Sequence, residues 1–548
     1  MLFCAVKEHG MLKNRFLLYI AFIALSLTGC AKRGNITGGP KDTIAPVLVR
    51  SYPENMTTNF KGSEIRIDFS EYIKIKDVNR QLIISPPMET QPVITPMAGA
   101  SKFIKIQIKD TLQPETTYSF NFGQSITDNN EGNPYSQFKF VFSTGAYIDS
   151  LELRGTIKDA YSRKTDDFVT VMLYEAETFT DSTIYTEKPR YVTNTLDSMV
   201  NYRLENLKEG KYYLIALKDK SSNYVFNPAS DKIAFFENPI TVPNDTLYEL
   251  NLFMQQGEYK ALKPVQASSN RYYAPYEGNS KGTVIDVKNA ATNETINSVT
   301  TKVPEKDSLQ VWVPREINTI ADSLLVSIRK NDSIKEFTVK TKEMKATDSL
   351  TVEPVQKGTL NFRDTFTIKT STPIRTIDTT KMALMDKDSV AVAFTTKYDA
   401  YLQELKFDFE KKEEQKYRFT LMPGAIKDFY EKENDTLNFT LTTRTYTDYG
   451  NLRVILNNAD RFPLILEVLD TNEKVVASYY SEGETEIDFN NLQPNKFNLR
   501  VIYDDNKNGE WDSGSYPEKR QPEEVIYHPD TTDVRSNWDV PVTFNLGG

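Results

Sequence analysis

The stretch of this sequence best suited to chemistry is Asp504-Asp505-Asn506-Lys507-Asn508-Gly509-Glu510-Trp511-Asp512. Oxygen side chains stand at the first, third, fifth and ninth positions: Asp504, Asn506, Asn508 and Asp512. Gly509 is sixth, and Glu510, seventh, can offer its carbonyl. A hard cation such as calcium takes roughly six to eight oxygens, and this spacing wraps a loop around one ion, with glycine allowing the sharp turn. Calcium is therefore the one cofactor the residues suggest. The plainer alternative is a loop whose Asn and Asp side chains bond their own backbone. Two other groups are weaker. Glu71 and Asp128 are carboxylates that would serve glycoside chemistry only if folding set them at the right separation. Arg271-Tyr272-Tyr273-Ala274-Pro275-Tyr276 clusters aromatic rings that could stack on a sugar or cover a domain junction.

The loop departs from an EF-hand in two ways. Ser515 stands where that motif has its bidentate Glu, with Glu518 the nearest substitute, and a strand rather than a helix precedes it. An equivalent loop begins at Asp219, but it lacks the glycine and has Asn227 where the later loop has Asp512.

Composition narrows the rest. The chain has 548 residues, with 2 His and 2 Cys, so Ser/His/Asp and Cys/His catalysis, His or Cys zinc sites and a disulfide framework are excluded as serious options. No catalytic residue is assigned, and a non-enzymatic role is expected. The net charge of −9 argues against a nucleic-acid partner. The 30 Tyr and 30 Phe, with many Thr, Val and Ile, favour strands. The length is too great for one core.

Lys13 and Arg15 precede the apolar run Phe16–Leu25, which is followed by Ser26-Leu27-Thr28-Gly29-Cys30. A charged segment, a short apolar core and small residues before a cut form a secretory signal. Leu27-Thr28-Gly29-Cys30 resembles the bacterial lipobox. The resemblance implies that residues 1–29 are removed and that Cys30 carries a diacylglycerol and an N-acyl chain, which would anchor the protein stably in the membrane. Residues 30–45, with Gly38-Gly39-Pro40-Lys41-Asp42, read as a flexible tether and resemble the segment after the lipid cysteine in Bacteroidota lipoproteins. Asp-Ser/Thr dipeptides, recurring from Asp42 to Asp530, resemble the O-glycosylation acceptor of exported proteins in that phylum, or are turn chemistry.

Alternation of period two runs through the chain. It is clear in Ile65-Arg66-Ile67-Asp68-Phe69, Tyr118-Ser119-Phe120-Asn121-Phe122 and Phe138-Lys139-Phe140-Val141-Phe142. The order of landmarks in 46–146, from Ser51-Tyr52-Pro53 and Asp68-Phe69-Ser70-Glu71 to the closing Phe142-Ser143-Thr144, resembles the bacterial Ig-like domain of surface-layer type. Residues 150–256, with Gly155-Thr156-Ile157-Lys158-Asp159 and Asn206 to Asp219, resemble the transthyretin-like modules of the carboxypeptidase regulatory type. Both patterns return. Asn491 to Asp504 repeats Asn206 to Asp219 without a gap, and Tyr417 to Leu421 with Ile426-Lys427-Asp428 repeats Tyr118 to Phe122 with Ile126-Thr127-Asp128. In the later copy Thr372 replaces Glu71.

The expected fold class is all-β: tandem β-sandwich modules, Ig-like and transthyretin-like, in an elongated array. The expected domains are 46–146 and 350–445 (Ig-like), 150–256 and 447–548 (transthyretin-like), and an intervening sandwich at 262–345. The expected function is that of a lipid-anchored scaffold or docking module in the cell envelope, beside an outer-membrane protein complex. The membrane is reached through Cys30, the partner is an envelope protein, and the membrane face is open. The rival reading is a glycan-binding surface lipoprotein in nutrient capture.

Overall fold

Strands with one apolar face need a second layer to bury it. In the computed structural model, which describes residues 41–195 and 200–547, that need is met by one sandwich after another. The signal segment, Cys30 and residues 30–40 of the tether lie outside the described residues. Among the described residues helix is confined to single turns such as Val78–Gln81 and Thr183–Thr186, and no described helix is long and apolar enough to cross a membrane.

The first sandwich is built on the strand Glu64–Ile75, which alternates so that Ile65, Ile67, Phe69 and Ile73 are buried. It pairs antiparallel with Leu48–Tyr52 and Ser101–Gln107, and at its far end with Ile126–Asp128. The facing layer is Ile83–Ser85, Thr117–Asn121 and Lys139–Ser143, and the core between them is rich in Phe, including Phe120, Phe122, Phe140 and Phe142.

The second sandwich has a signature of its own. Leu151–Asp159 pairs antiparallel with Asn201–Leu207 but parallel with Leu247–Met254. Its other layer runs Tyr191–Asn194, Thr170–Glu175, Gly210–Lys218 and Lys232–Phe235. A third sandwich packs Arg271–Glu277, Ser308–Trp312 and Val299–Lys302 against Val284–Asn289, Ser323–Lys330 and Ser333–Lys340.

The repetition seen in the sequence is a repetition of topology. Gly450–Asn457 again has an antiparallel neighbour, Glu486–Leu492, and a parallel one, Asp539–Asn545. The other layer again places Val475–Ser481 at the edge, followed by Leu464–Leu469, Asn495–Tyr503 and Val525–Tyr527. The fourth sandwich likewise repeats the first, with Phe366–Thr370 between Val352–Pro354 and Glu404–Asp408. One difference has a local cause. The continuous strand Glu64–Ile75 becomes two, Phe366–Thr370 and Ile374–Ile377, because Pro373 stands where the first copy has Tyr72 and supplies no N–H to a ladder.

The tandem series is not a straight rod. The fifth sandwich packs back on the second, 285 positions away in the repeat, so the chain from second to fifth doubles on itself. The reason is that the second sandwich carries an apolar outer face, with Met172, Ile215, Leu217, Ile233 and Phe253, which sequence order alone does not cover. Two further junctions follow chain order. Tyr430 donates its hydroxyl to the carbonyls of Asn270 and Val313, both at 3.0 Å, between the third and fourth sandwiches, and Phe362 stacks on Tyr446 between the fourth and fifth.

Candidate functional site

The oxygen-rich loop leaves the strand Asn495–Tyr503 and opens an arch that ends at Val525–Tyr527. Asp504 is fully buried, and its carboxylate accepts the N–H groups of Asn508 (3.1 Å) and Gly509 (2.7 Å). Asn506 Oδ1 accepts from Asn508 N at 3.0 Å, and Asn508 Oδ1 from Glu510 N at 2.7 Å. The turn demands left-handed backbone at Lys507 (φ 63°) and Gly509 (φ 78°), which glycine adopts without a steric penalty. The amides of Asn506 and Asn508 both donate to Asp512 Oδ2 at 2.5 Å. Asp504, Asn506, Asn508 and Asp512 are thus brought together as the spacing predicts.

The side chains of Glu510 and Glu518 turn elsewhere. The Glu510 side chain forms an ion pair with Lys281 at 2.9 Å, which leaves its carbonyl, the group expected to face an ion, untouched, and Glu518 pairs with Arg520 at 3.2 Å. The carboxylate that braces the loop is Glu523, which sequence reasoning missed. It accepts Asp505 N and Asp512 N, both at 2.9 Å, while its carbonyl takes the Trp511 indole N–H at 3.0 Å. Burial pushes its carboxyl above the usual range. No periodic spacing marks Glu523, because it reaches the loop only when the arch closes.

As a calcium site the loop is short of ligands. The charged donors are Asp504 and Asp512, and among the described residues no group of three or more His, Cys, Asp or Glu is placed to hold a metal. An ion would require both Asn amides to turn so that oxygen rather than nitrogen faces Asp512. The first-copy loop uses the same brace without glycine: Asp219 accepts Ser221 N at 2.9 Å and Tyr224 N at 2.7 Å.

Beyond the loop, the arch is a clasp. Trp511 packs on Tyr161 of the second sandwich with ring centroids 4.6 Å apart. Tyr516 meets Phe235 edge-on at 5.1 Å. Ser513 Oγ donates to Met254 O at 2.6 Å, Gln521 to Phe235 O at 3.0 Å, and Lys519 pairs with Asp181 at 2.6 Å. Gly514 lies so close that an added Cβ would stand 2.5 Å from the Phe253 ring. Across the same junction Arg500, 1% exposed, pairs with Glu467 at 2.6 Å. Its guanidinium lies 3.9 Å from the centre of the Tyr161 ring and donates to both the carbonyl (3.2 Å) and hydroxyl (2.5 Å) of Tyr161. Tyr527 donates to the same carbonyl at 2.8 Å.

The remaining candidates are structural. Asp128 is held by four backbone donors, Asn130, Glu131, Gly132 and Asn133, at 2.7 to 3.0 Å. Burial works to raise its carboxyl, and the four N–H groups outweigh it, holding it below the usual range. Glu71 is raised by burial and by the charges of Asp128, Asp42 and Glu131. In the later copy, Thr372 in place of Glu71 donates to Asp428 at 2.8 Å. Of the Arg271–Tyr276 run, Tyr272 and Tyr276 are buried in the third core, and Arg271 bonds Gln310 and Asp348, both at 3.0 Å. Asp149, one of the Asp-Ser/Thr positions, is buried and takes the Thr117 hydroxyl at 2.7 Å, a bond between the first sandwich and the start of the second.

Residues 42–144 match the family of the bacterial Ig-like domain. Curated proteins provide no match. Among solved structures, the chain is similar to the S-layer protein rSbsC at 11% identity, covering 89% of this chain and 67% of that one, with a TM-score of 0.16. The BSP domain of a biofilm-associated protein is 8% identical over 93% of this chain and 98% of that one, TM-score 0.15. An I-band fragment of titin is 9% identical over 53% and 99%, TM-score 0.12. This chain therefore carries a bacterial Ig-like domain, set in a nearly all-β series of tandem sandwiches.

Proposed function

We propose that this protein is a non-enzymatic scaffold of the cell envelope, anchored through a lipid on Cys30 to the outer membrane of a Bacteroidota bacterium, and that it docks an envelope protein partner. One observation carries the reading: the repeated plan of paired sandwiches is fastened by a buried arginine, Arg500, into a body whose second and fifth members hold each other. A body fastened in this way presents loops and sheet edges in set positions, which suits docking. The Ig-like domain stands nearest the anchor.

The anchor is tested by feeding cells an alkyne-tagged fatty acid. The chain should take up the label, Cys30→Ser should lose it, and an unlabelled wild type would sink the lipid reading. Protease treatment of intact cells then reports the membrane face, and pulldown from detergent-solubilised envelope should recover a protein partner. A glycan array that lights up while the pulldown stays empty would favour the nutrient-capture reading. The 504–512 loop is proposed to take calcium only by turning the Asn506 and Asn508 amides. A chelator should then lower the melting temperature of the wild type and leave Asp504→Ala unmoved; an unchanged wild-type melt removes calcium from the account.

A further inference from the structure

The strand Val475–Ser481 forms one edge of the fifth sandwich. It is seven residues long, without a charge or a proline, and its one irregularity is a shift of register against Leu464–Leu469 between Val475 and Ala477. Val475, Val476, Tyr479 and Tyr480 are each exposed by 38 to 42%. Edge strands are ordinarily blunted by Lys, Pro or a cover, because their outward N–H and C=O groups invite another strand. The first copy shows the cover. There the equivalent edge, Tyr191–Asn194, lies against the Ig-like segment Ile83–Ser85, and Ser85 Oγ accepts Val192 N at 3.1 Å. In the second copy no hydrogen bond among the described residues joins the Ig-like counterpart, Met382–Met385, to Val475–Ser481, and the edge is bare among the described residues.

We propose that Val475–Ser481 pairs antiparallel with the same strand of a second copy, about a two-fold axis through Ser478. The strand is complementary to its own reverse. With Ser478 on the axis, Lys474 comes opposite Glu482 of the second chain, at both ends of the pairing. Val476 comes opposite Tyr480, a β-branched residue against an aromatic one, and Ala477 opposite Tyr479, small against large. Lys474 and Glu482 are exposed, and among the described residues neither has an ion-pair partner. An isologous contact of this kind closes with two chains and leaves no edge to propagate. Each sheet continues into its twin, and the bare edges disappear together. This inference does not depend on the scaffold reading or on the lipid.

The full chain should run in native mass measurements at twice the mass of a single chain. Lys474→Glu and Glu482→Lys each place like charges opposite one another twice per dimer, and each should weaken association about tenfold. Mixing the two single variants restores both opposite-charge pairs and should restore the dimer; so should the double variant alone. Val476→Lys, which blunts the edge without altering that pattern, should leave a monomer whose circular dichroism matches the wild type's. A wild type that stays monomeric across a concentration series overturns the proposal, even if a different protein is captured. Charge variants that fail to recover on mixing overturn the register.

Discussion

At the scale of single residues, the same device recurs: an Asp at the end of a strand that gathers backbone N–H groups, buried at Asp128 and Asp504 and half-buried at Asp219. Asp128, Asp219 and Asp504 all do this. For Asp128 the consequence for pH can be stated. Its folded carboxyl lies below the ordinary value of about 3.9, so the stabilisation is fully present above that value and is lost as pH falls through the folded one. The first sandwich should therefore lose stability below about pH 4, and Asp128→Ala should lower its melting temperature at neutral pH while flattening the acid limb. Thermal melts across an acid series check this. Glu71 carries the opposite sign. Its carboxyl is raised by burial and neighbouring acids, so it costs stability as pH rises through its folded value, an effect Thr372 avoids in the later copy.

At the scale of elements, the arch between Tyr503 and Val525 turns a loop that looked like a binding motif into a fastener. Its tip meets an apolar sheet face, and Arg500 meets Tyr161 beside it. Removing one partner of a buried ion pair leaves the other charge without compensation, which costs about 3 kcal/mol or more. Arg500→Ala strands Glu467 and should lower the melting temperature markedly. Gly514→Val should act at the same junction by collision with Phe253, with the fifth sandwich itself intact. Calorimetry should show the second and fifth sandwiches melting together in the wild type and apart in Gly514→Val; a single unchanged transition in both would contradict the clasp.

At the scale of the whole molecule, covalent order and spatial order diverge. Each sandwich buries its own core, so each can sit anywhere its linkers permit, and the arrangement is chosen by what lies on the outer faces. The second sandwich has an apolar outer face and finds the fifth. Its repeat-mate bears Arg500 where the second has Ile215, so the two faces are no longer alike and meet as different surfaces. Opening of the clasp would lengthen the particle, and small-angle scattering on Gly514→Val should report a larger radius than the wild type.

Strand positions, the sandwich class and the duplication were legible from residues alone, because a period of two and a gap-free internal match are local properties of the chain. Asp504, Asn506, Asn508 and Asp512 were legible as one loop for the same reason. Glu523, the Arg500–Tyr161 junction and the fate of Tyr272 and Tyr276 were not. Each depends on which surfaces meet across hundreds of residues, and no periodicity encodes that choice. Sequence by itself determined that the chain is a series of β-sandwiches with a recurring pair; only the tertiary structure decided which modules touch, because outer faces compete for partners after every core is already buried.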